Sequence, residues 1–466
     1  EFLNTFFLCL ERAMTLLYAV YTILTGLLFL FLSPYLLLYL GTTGRWGDHL
    51  RERLGFVGRV KHRMPAGLPR IWIHAVSLGE VRVAASIVGI LKRRMPECSV
   101  IVSATTPHGR ESAQKQFGPD IPVIYAPIDL AFCVQKALRA IRPDLMVFLE
   151  TEIWPAWLFE ARRMGIKTAL INGRISVRSI DAYRRLRPFM RQVLARVDAF
   201  SMILEEDARR LITMGAPPKR VEINGNAKYD GLASAADPGV EPEMRRLLNL
   251  KPGDKTIVAG STRRGEEAMI LQAYVDICKS LPDMVLIIAP RHVERAAGIC
   301  EMVRQHGLTC VLRTRIPDRE AEGPPRVVVM DTFGELFNIY SVATIVFCGA
   351  SLVPLGGQNP LEPAAWGKAI VYGPSMEDFQ DATAILEAAD AGIRVSGVEE
   401  LTQRVLGLLS DPEALTALGM RARDAVCKHQ GASVQQANVI QRLAGQEVRH
   451  PPQAWKTSNP LKKERR

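Results

Sequence analysis

Glu80 stands three residues after Ser77 in Ser77-Leu78-Gly79-Glu80, and Glu362 three residues after Asn359 in Asn359-Pro360-Leu361-Glu362. In both, a helix-capping side chain follows an apolar run or a loop and a carboxylate falls in the first helical turn, where the positive end of the helix dipole keeps it ionised. Glu80 is placed to take a proton from an attacking hydroxyl. Glu362 ends an uncharged, glycine-rich loop, Gly349 to Asn359, in which Gly356-Gly357 allow a close backbone approach and Pro360 suits the first helical position after an Asn359 cap. Free N–H groups there favour an anion, and the carboxylate can accept from two sugar hydroxyls. That pattern points to a nucleotide-sugar site. The same residues also satisfy a capping box with no further role, and both readings stand at this point.

Further charges fall at the ends of apolar runs: Glu150 and Glu152 in ETEIWP, Arg174 in NGRIS and Lys228 in NGNAKYD. Together they make a mixed-charge pocket suited to a phosphorylated or carboxylated substrate. In the second half of the chain, GSTRRGEE (260–267), APRH (289–292) and DTFGEL (331–336) also follow apolar runs. Arg291 can bind two phosphate oxygens at once, and Gly334 and its neighbours can offer N–H groups to the same phosphate. His292 reads as an ordinary loop histidine. No G-x-G-x-x-G opens either half, no P-loop pattern occurs and no D-x-D pair offers a metal clamp, so no metal is expected.

The elements that position these residues follow from the rhythm of the chain. Continuous apolar runs at 71–76, 99–105, 122–127, 144–150, 167–173 and 199–204 alternate with helical patterns, as strands of a parallel sheet covered on both faces do. A polar stretch reads as a linker, and the rhythm restarts at 256–261, 284–290, 309–314, 326–332, 344–350 and 369–374. We expect an α/β protein of two doubly wound, Rossmann-like domains facing a cleft. The boundaries are an N-terminal segment 1–44, a domain 45–232, a linker 233–250, a domain 251–446 and a basic tail 447–466. In such folds ligands lie at the carboxyl ends of the strands.

With 466 residues, 48% of them hydrophobic, the chain can bury large cores. Leu16 to Leu40 carries no charge and is long enough to span a bilayer, or, with Pro34 inside it, to dip into one leaflet. A cleaved signal peptide fits less well, because the apolar run is long and no small-residue cleavage site follows. The excess of Arg45, Arg51, Arg53, Arg59, Lys61 and Arg63 over Asp48 and Glu52 puts the downstream chain in the cytoplasm. A net charge of +11 fits an anionic membrane or substrate; nucleic acid is not expected, since no aromatic and basic residues interleave and no DNA-binding signature occurs. The eight cysteines form no C-x-x-C pair and read as reduced thiols. The tail ending KKERR has the composition of a disordered segment, and nothing is assigned to the residues before Met14.

HAVSLGE, TTPHGR, ETEIWP, NGRIS, NGNAKYD, AGSTRRGEE, APRH, DTFGELF and GGQNPLEPAAWGK, in this order behind an apolar N-terminal segment, closely resemble the 3-deoxy-D-manno-octulosonic acid (Kdo) transferases of Gram-negative bacteria. The likeness runs from about Tyr35 to about Val426. It implies the GT-B fold and an inverting transfer of Kdo from CMP-Kdo to a tetraacylated lipid A precursor at the cytoplasmic face of the inner membrane. By resemblance, Glu80 is the base, and Glu150 and Lys228 stabilise the transition state. The CMP site falls on Pro290 and Arg291, on Phe333, Gly334 and Glu335, and on Asn359, Pro360, Leu361 and Glu362. NGRIS and GNAKYD depart from the family's NARxS and GNLKFD without touching the charged positions. An epimerase or hydrolase of the same architecture, or a non-catalytic nucleotide-sugar binding protein, are the competing readings. Neither the number of Kdo units nor the oligomeric state follows from the sequence.

Overall fold

A computed structural model describes residues 2–43, 48–57, 67–175, 183, 185–316 and 327–445. The tail at 447–466 and the basic residues Arg45, Arg59, Lys61 and Arg63 lie outside them. The chain divides into two units, 1–228 with 431–466, and 229–430.

The first unit is built on a seven-stranded parallel sheet: β1 (Arg70–His74), β2 (Ser99–Ala104), β3 (Val123–Tyr125), β4 (Leu145–Leu149), β5 (Lys167–Gly173), β6 (Ala199–Met202) and β7 (Val221–Ile223), in the order β3-β2-β1-β4-β5-β6-β7. Alternate residues of each strand feed opposite faces. Trp72, Ile101, Met146, Phe148, Leu170 and Phe200 enter one core; Ile71, Ile73, Val100, Val102, Leu145, Val147 and Ile171 enter the other. This two-sided burial is why the strands read as unbroken apolar runs.

The second unit repeats the plan with β8 (Thr256–Thr262), β9 (Val285–Pro290), β10 (Cys310–Leu312), β11 (Val327–Val329), β12 (Ile345–Cys348), β13 (Ala369–Tyr372) and β14 (Gly392–Arg394), ordered β10-β11-β9-β8-β12-β13-β14. Val258, Ile287, Val328, Val346 and Ile370 fill one face, and Ile257, Leu286, Val327, Ile345 and Phe347 the other. In each sheet the strand order reverses at one point, between β1 and β4 and between β8 and β12, where doubly wound sheets open a crevice.

Four findings differ from the sequence reading. β7 and β14 were not expected; each is a three-residue edge strand without a fully buried residue. The expected linker 233–250 is instead helical over Glu241–Leu247, and its Ala236, Met244, Leu248 and Leu250 are buried in the second unit's core. The helix Ala432–Leu443, expected in the C-terminal domain, belongs to the first unit, where Ala432, Ala437, Val439 and Ile440 join the core around Ala84, Ile87 and Leu91. Cys300 and Cys310 form a disulfide with Cα atoms 5.6 Å apart, because the chain turns tightly at Gly307 between the helix Ala296–Gln305 and β10.

One helix runs over Phe2–Thr43, and its Leu16–Tyr35 stretch, mean hydropathy 2.1, is long and apolar enough to cross a membrane. Its early turns also touch the first unit. Tyr18 Oη donates to Glu160 Oε1 at 2.8 Å and Tyr21 Oη to Asp129 Oδ2 at 2.5 Å, while the Tyr18 ring stacks on Phe159 with centroids 3.8 Å apart.

Candidate active site

Glu80 lies in the first turn of the helix Leu78–Arg94, directly after β1. Its own backbone N–H donates to Ser77 Oγ at 3.2 Å, and Ser77 Oγ–H donates to Glu80 Oε1 at 2.9 Å. Glu80 Oε2 accepts the Val76 N–H at 2.8 Å. The capping box is therefore real. It reaches one residue further back than the usual form, which bonds the cap's own N–H. Only 6% of Glu80 is exposed, and burial, with the charges of Glu150 and Glu152 adding to it, pushes its carboxyl up to about 7 against the Val76 and Ser77 hydrogen bonds.

Glu150 and Lys228 arrive beside it from two other strands. Glu150 follows β4 with φ of 54°, a left-handed backbone that costs a non-glycine residue on the order of 1–3 kcal/mol. Its Oε1 lies 2.5 Å from Lys228 Nζ. Lys228 occupies a short turn, Ala227–Tyr229, just beyond β7, and a Cβ placed on Gly79 would come within 3.2 Å of Lys228 Cε and 3.5 Å of Nζ. Glycine at position 79 thus leaves room for the ammonium over the turn that presents Glu80. The expected trio converges at the carboxyl edge of the sheet, next to its β1/β4 reversal.

Glu152, the other carboxylate of ETEIWP, is turned elsewhere. Its Oε2 accepts Trp154 Nε1–H at 2.7 Å and lies 3.6 Å from Nε2 of the buried His74, whose Nδ1 is 2.9 Å from Ser103 Oγ. Asn172, the first residue of NGRIS but given no role there, sits fully buried at φ of 53° near the end of β5, and its Oδ1 accepts the Ala227 N–H at 2.8 Å.

The second unit holds the residues expected at the CMP end. Pro290 ends β9, and the exposed Arg291 follows it, its backbone N–H donating to Thr262 O at 3.0 Å. Phe333 is 80% exposed, and Gly334 has φ of 90°. Glu335 accepts from Thr332 Oγ1–H and from Arg313 Nη2, the latter at 2.8 Å. Asn359 Oδ1 accepts the Leu361 N–H at 3.1 Å and its Nδ2 lies 3.4 Å from Glu362 Oε1. Two expectations need correction here. The helix cap is Pro360, with Asn359 forming a turn one residue earlier, and the helix spans only Leu361–Ala365. So short a helix sums few peptide dipoles, and an anion there would meet individual N–H groups instead of a macrodipole.

The loop before that helix is rigidly seated. Gly356 and Gly357 have φ of 84° and 78°, and a Cβ on either would come within 2.4 Å of Asp378 Oδ2 or 2.3 Å of Met376 Sδ. Its start is held by Glu266, fully buried, whose carboxylate accepts the N–H groups of Ala350 (2.7 Å), Ser351 (3.0 Å), Leu352 (3.0 Å) and Arg263 (3.2 Å). Burial raises the Glu266 carboxyl, and these N–H groups oppose the rise. The signal for it was present as the paired acids of GSTRRGEE directly after a strand. Neighbouring Glu267 takes a two-pronged contact from Arg295 at 2.7 and 3.0 Å.

Non-glycine residues in the left-handed region mark the strand ends of both units: Glu150 after β4, Asn172 in β5, Ser261 in β8 and Ala350 after β12. Three of these four strands, β4, β8 and β12, flank the two reversals of strand order.

Comparisons with known proteins point to one family. Residues 48–231 match the pattern of a family described as 3-deoxy-D-manno-octulosonic-acid transferase (kdotransferase). A 3-deoxy-D-manno-octulosonic acid transferase of Bordetella pertussis is 30% identical over 86% of this chain and 93% of its own length. A bifunctional glycosyltransferase/methyltransferase of Fusobacterium nucleatum is 32% identical over 72% of this chain, which spans about half of it (52%). Among solved structures, a glycosyltransferase from Rickettsia africae superposes with a TM-score of 0.58 at 12% identity, over 80% of this chain and 98% of that one, a likeness of fold.

Proposed function

Because the chain belongs to the 3-deoxy-D-manno-octulosonic acid (Kdo) transferase family, we propose that it moves Kdo from CMP-Kdo to a lipid A precursor, lipid IVA, in lipopolysaccharide biosynthesis. It is a GT-B glycosyltransferase. The observation that carries the chemical reading is Glu80: a buried carboxylate gripped by two neutral donors, its pKa near 7, with no cation bonded to it among the described residues. A general base works best when its pKa lies near the working pH.

In this reading Glu80 accepts the proton of the acceptor hydroxyl as that oxygen bonds to the anomeric carbon of Kdo and the bond to the CMP phosphate breaks. One base opposite the leaving group suffices for a single displacement with inversion. Each Glu80 oxygen already accepts one hydrogen bond and keeps a lone pair for the hydroxyl. Lys228 is positioned for the Kdo carboxylate or the developing phosphate charge, and Glu150 both anchors the ammonium and can offset positive charge growing on the sugar ring. On the donor side, Arg291 is assigned to phosphate, the exposed Phe333 ring to the base, Gly334 and the 359–361 backbone to oxygens of the nucleotide, and Glu362 and Glu335 to hydroxyl groups. No metal ligand set is assigned. The apolar helix is read as the inner-membrane anchor, with the globular part on the cytoplasmic face beside the basic residues that follow the helix.

Incubation with CMP-Kdo and lipid IVA, followed by mass spectrometry of the lipid, tests this directly and reports the number of Kdo units. Consumption of CMP-Kdo at the same rate without the lipid would point to a hydrolase or epimerase instead. Thermal stabilisation by CMP with no turnover under any condition would leave a binding protein.

A further inference from the structure

We infer that Gln436, on the helix Ala432–Leu443, is a positioning residue for Lys228. The loop that carries Lys228 is short, irregular and follows an edge strand of three residues. Two buried amides bracket it. Asn172 Oδ1 accepts the Ala227 N–H at 2.8 Å, and Asn172 Nδ2 lies 3.4 Å from Asn226 Oδ1, which in turn accepts the Lys228 N–H at 3.0 Å. Gln436 Nε2 then donates to both Asn172 Oδ1 (3.1 Å) and Gly225 O (3.0 Å). Gly225 has φ of 81°, and a Cβ there would meet the Ala432 methyl at 3.5 Å, so the same helix also lines the loop's entry.

Gln436 is fully buried, yet its Oε1 has no hydrogen-bond partner among the described residues. A buried oxygen without a donor offsets much of what the two bonds given by Nε2 contribute to stability. Its contribution is therefore the placing of the loop, not the cohesion of the helix. The helix is secured by other means: Ser86 Oγ–H donates to Ser433 Oγ at 2.9 Å, Arg94 Nη1 donates to Asn438 Oδ1 at 2.6 Å, and four apolar residues enter the core. Without Gln436 the Asn172 oxygen and the Gly225 carbonyl each lose a donor, and the turn is free to shift Lys228 relative to Glu150 and Glu80. Displacements of about 1 Å at a reacting site can cost on the order of 10²-fold in rate.

This rests on the reading of Lys228 given above, and the test separates the two. Gln436→Met, Asn438→Ala, Lys228→Ala and the Gln436→Met/Lys228→Ala pair are assayed as full-length protein for Kdo transfer, with melting temperatures measured alongside. Gln436→Met is expected to lower kcat about tenfold or more, leave the KM for CMP-Kdo within about twofold, and lower the melting temperature by no more than Asn438→Ala does. Asn438→Ala, which loosens the same helix without touching the loop, is expected to lower the melting temperature and leave kcat within about twofold. In the Lys228→Ala background, Gln436→Met should cost nothing more. A kcat within about twofold for Gln436→Met when Lys228→Ala is crippled, or a full additional loss in the double variant, overturns the inference. A wild-type rate for Lys228→Ala overturns the role given to Lys228, and that of Gln436 with it. Gln436→Leu gives the same reading should Gln436→Met fold poorly.

Discussion

Ser77-Leu78-Gly79-Glu80 and Thr332-Phe333-Gly334-Glu335 are the same local device in two units: a hydroxyl residue, a bulky apolar residue, a glycine and a glutamate at the end of a strand. In both, the hydroxyl bonds the carboxylate three residues on. They part company in what else reaches that carboxylate. Glu80 receives only a backbone N–H beyond the hydroxyl, and its burial, with the nearby acids adding to it, outweighs these bonds and pushes its carboxyl up to about 7. Glu335 receives the Arg313 guanidinium from across the sheet edge. The glycines differ too, since Gly79 gives way to the Lys228 side chain while Gly334 adopts φ of 90° over open space. A four-residue pattern thus specifies a turn; whether the turn presents a buried carboxylate held by neutral donors or an ion-paired one depends on partners far away in sequence.

The strongest way to break this contrast is to remove each carboxylate in turn. Glu80→Ala should lower kcat for Kdo transfer by about 10² to 10⁴, with the KM for CMP-Kdo nearly unchanged. The wild-type rate should rise with pH through about 7 as the base loses its proton. Activity of Glu80→Ala within about tenfold of wild type would sink the assignment.

Next in size is a stability effect with opposite sign. Between pH 4.5 and about 7 the folded chain keeps a proton on Glu80 that the unfolded chain releases, so stability from this group is full below the lower value and is lost as pH rises to the upper one. The loss is on the order of 3 kcal/mol. Glu80→Gln never ionises, and its melting temperature should draw ahead of wild type by several degrees over this pH interval and hold that lead above it. A gap that stays flat with pH would place the titration elsewhere.

A smaller change is expected at the second turn. Glu335→Gln and Arg313→Ala each disturb the ion pair, and each should raise the KM for CMP-Kdo by about threefold to tenfold while kcat stays within about twofold. A kcat loss as large as that of Glu80→Ala would erase the distinction between the two turns. Smallest of all, Gly334→Ala meets no atom and suffers only its backbone, so calorimetry should register about 1 kcal/mol of destabilisation. Gly79→Ala, in contrast, should tell on turnover through Lys228.

Twelve of the fourteen described strands were legible, eleven because burial on both faces writes an unbroken apolar run and the edge strand Cys310–Leu312 because its residues are apolar though only half-buried; Val221–Ile223 and Gly392–Arg394, also half-buried at sheet edges, carry a charge or a glycine instead of such a run. Glu80, Glu150 and Lys228 could be picked out as charges at strand ends; the meeting of the first two follows from the adjacency of β1 and β4, whereas Lys228, beyond the edge strand β7, is brought back to them by the segment that follows that strand. Arg313 could not, since nothing in the sequence ties it to a glutamate twenty-two residues later. The helix Ala432–Leu443 was misassigned for a related reason. Its buried face is largely small and polar, with Ala432, Ser433, Gln436 and Ala437, and such a face does not declare which sheet it covers.

That helix has a consequence for synthesis. The first unit takes its closing piece from residues that leave the ribosome after the whole of 229–430. Until then the apolar stripe of Ala84, Ile87 and Leu91 stays uncovered on the growing chain. Domains usually mature from the N-terminus as they emerge; here the earlier unit must wait, the later one can finish first, and a premature stop near Gln430 would release a chain with an open, sticky core instead of a smaller working enzyme.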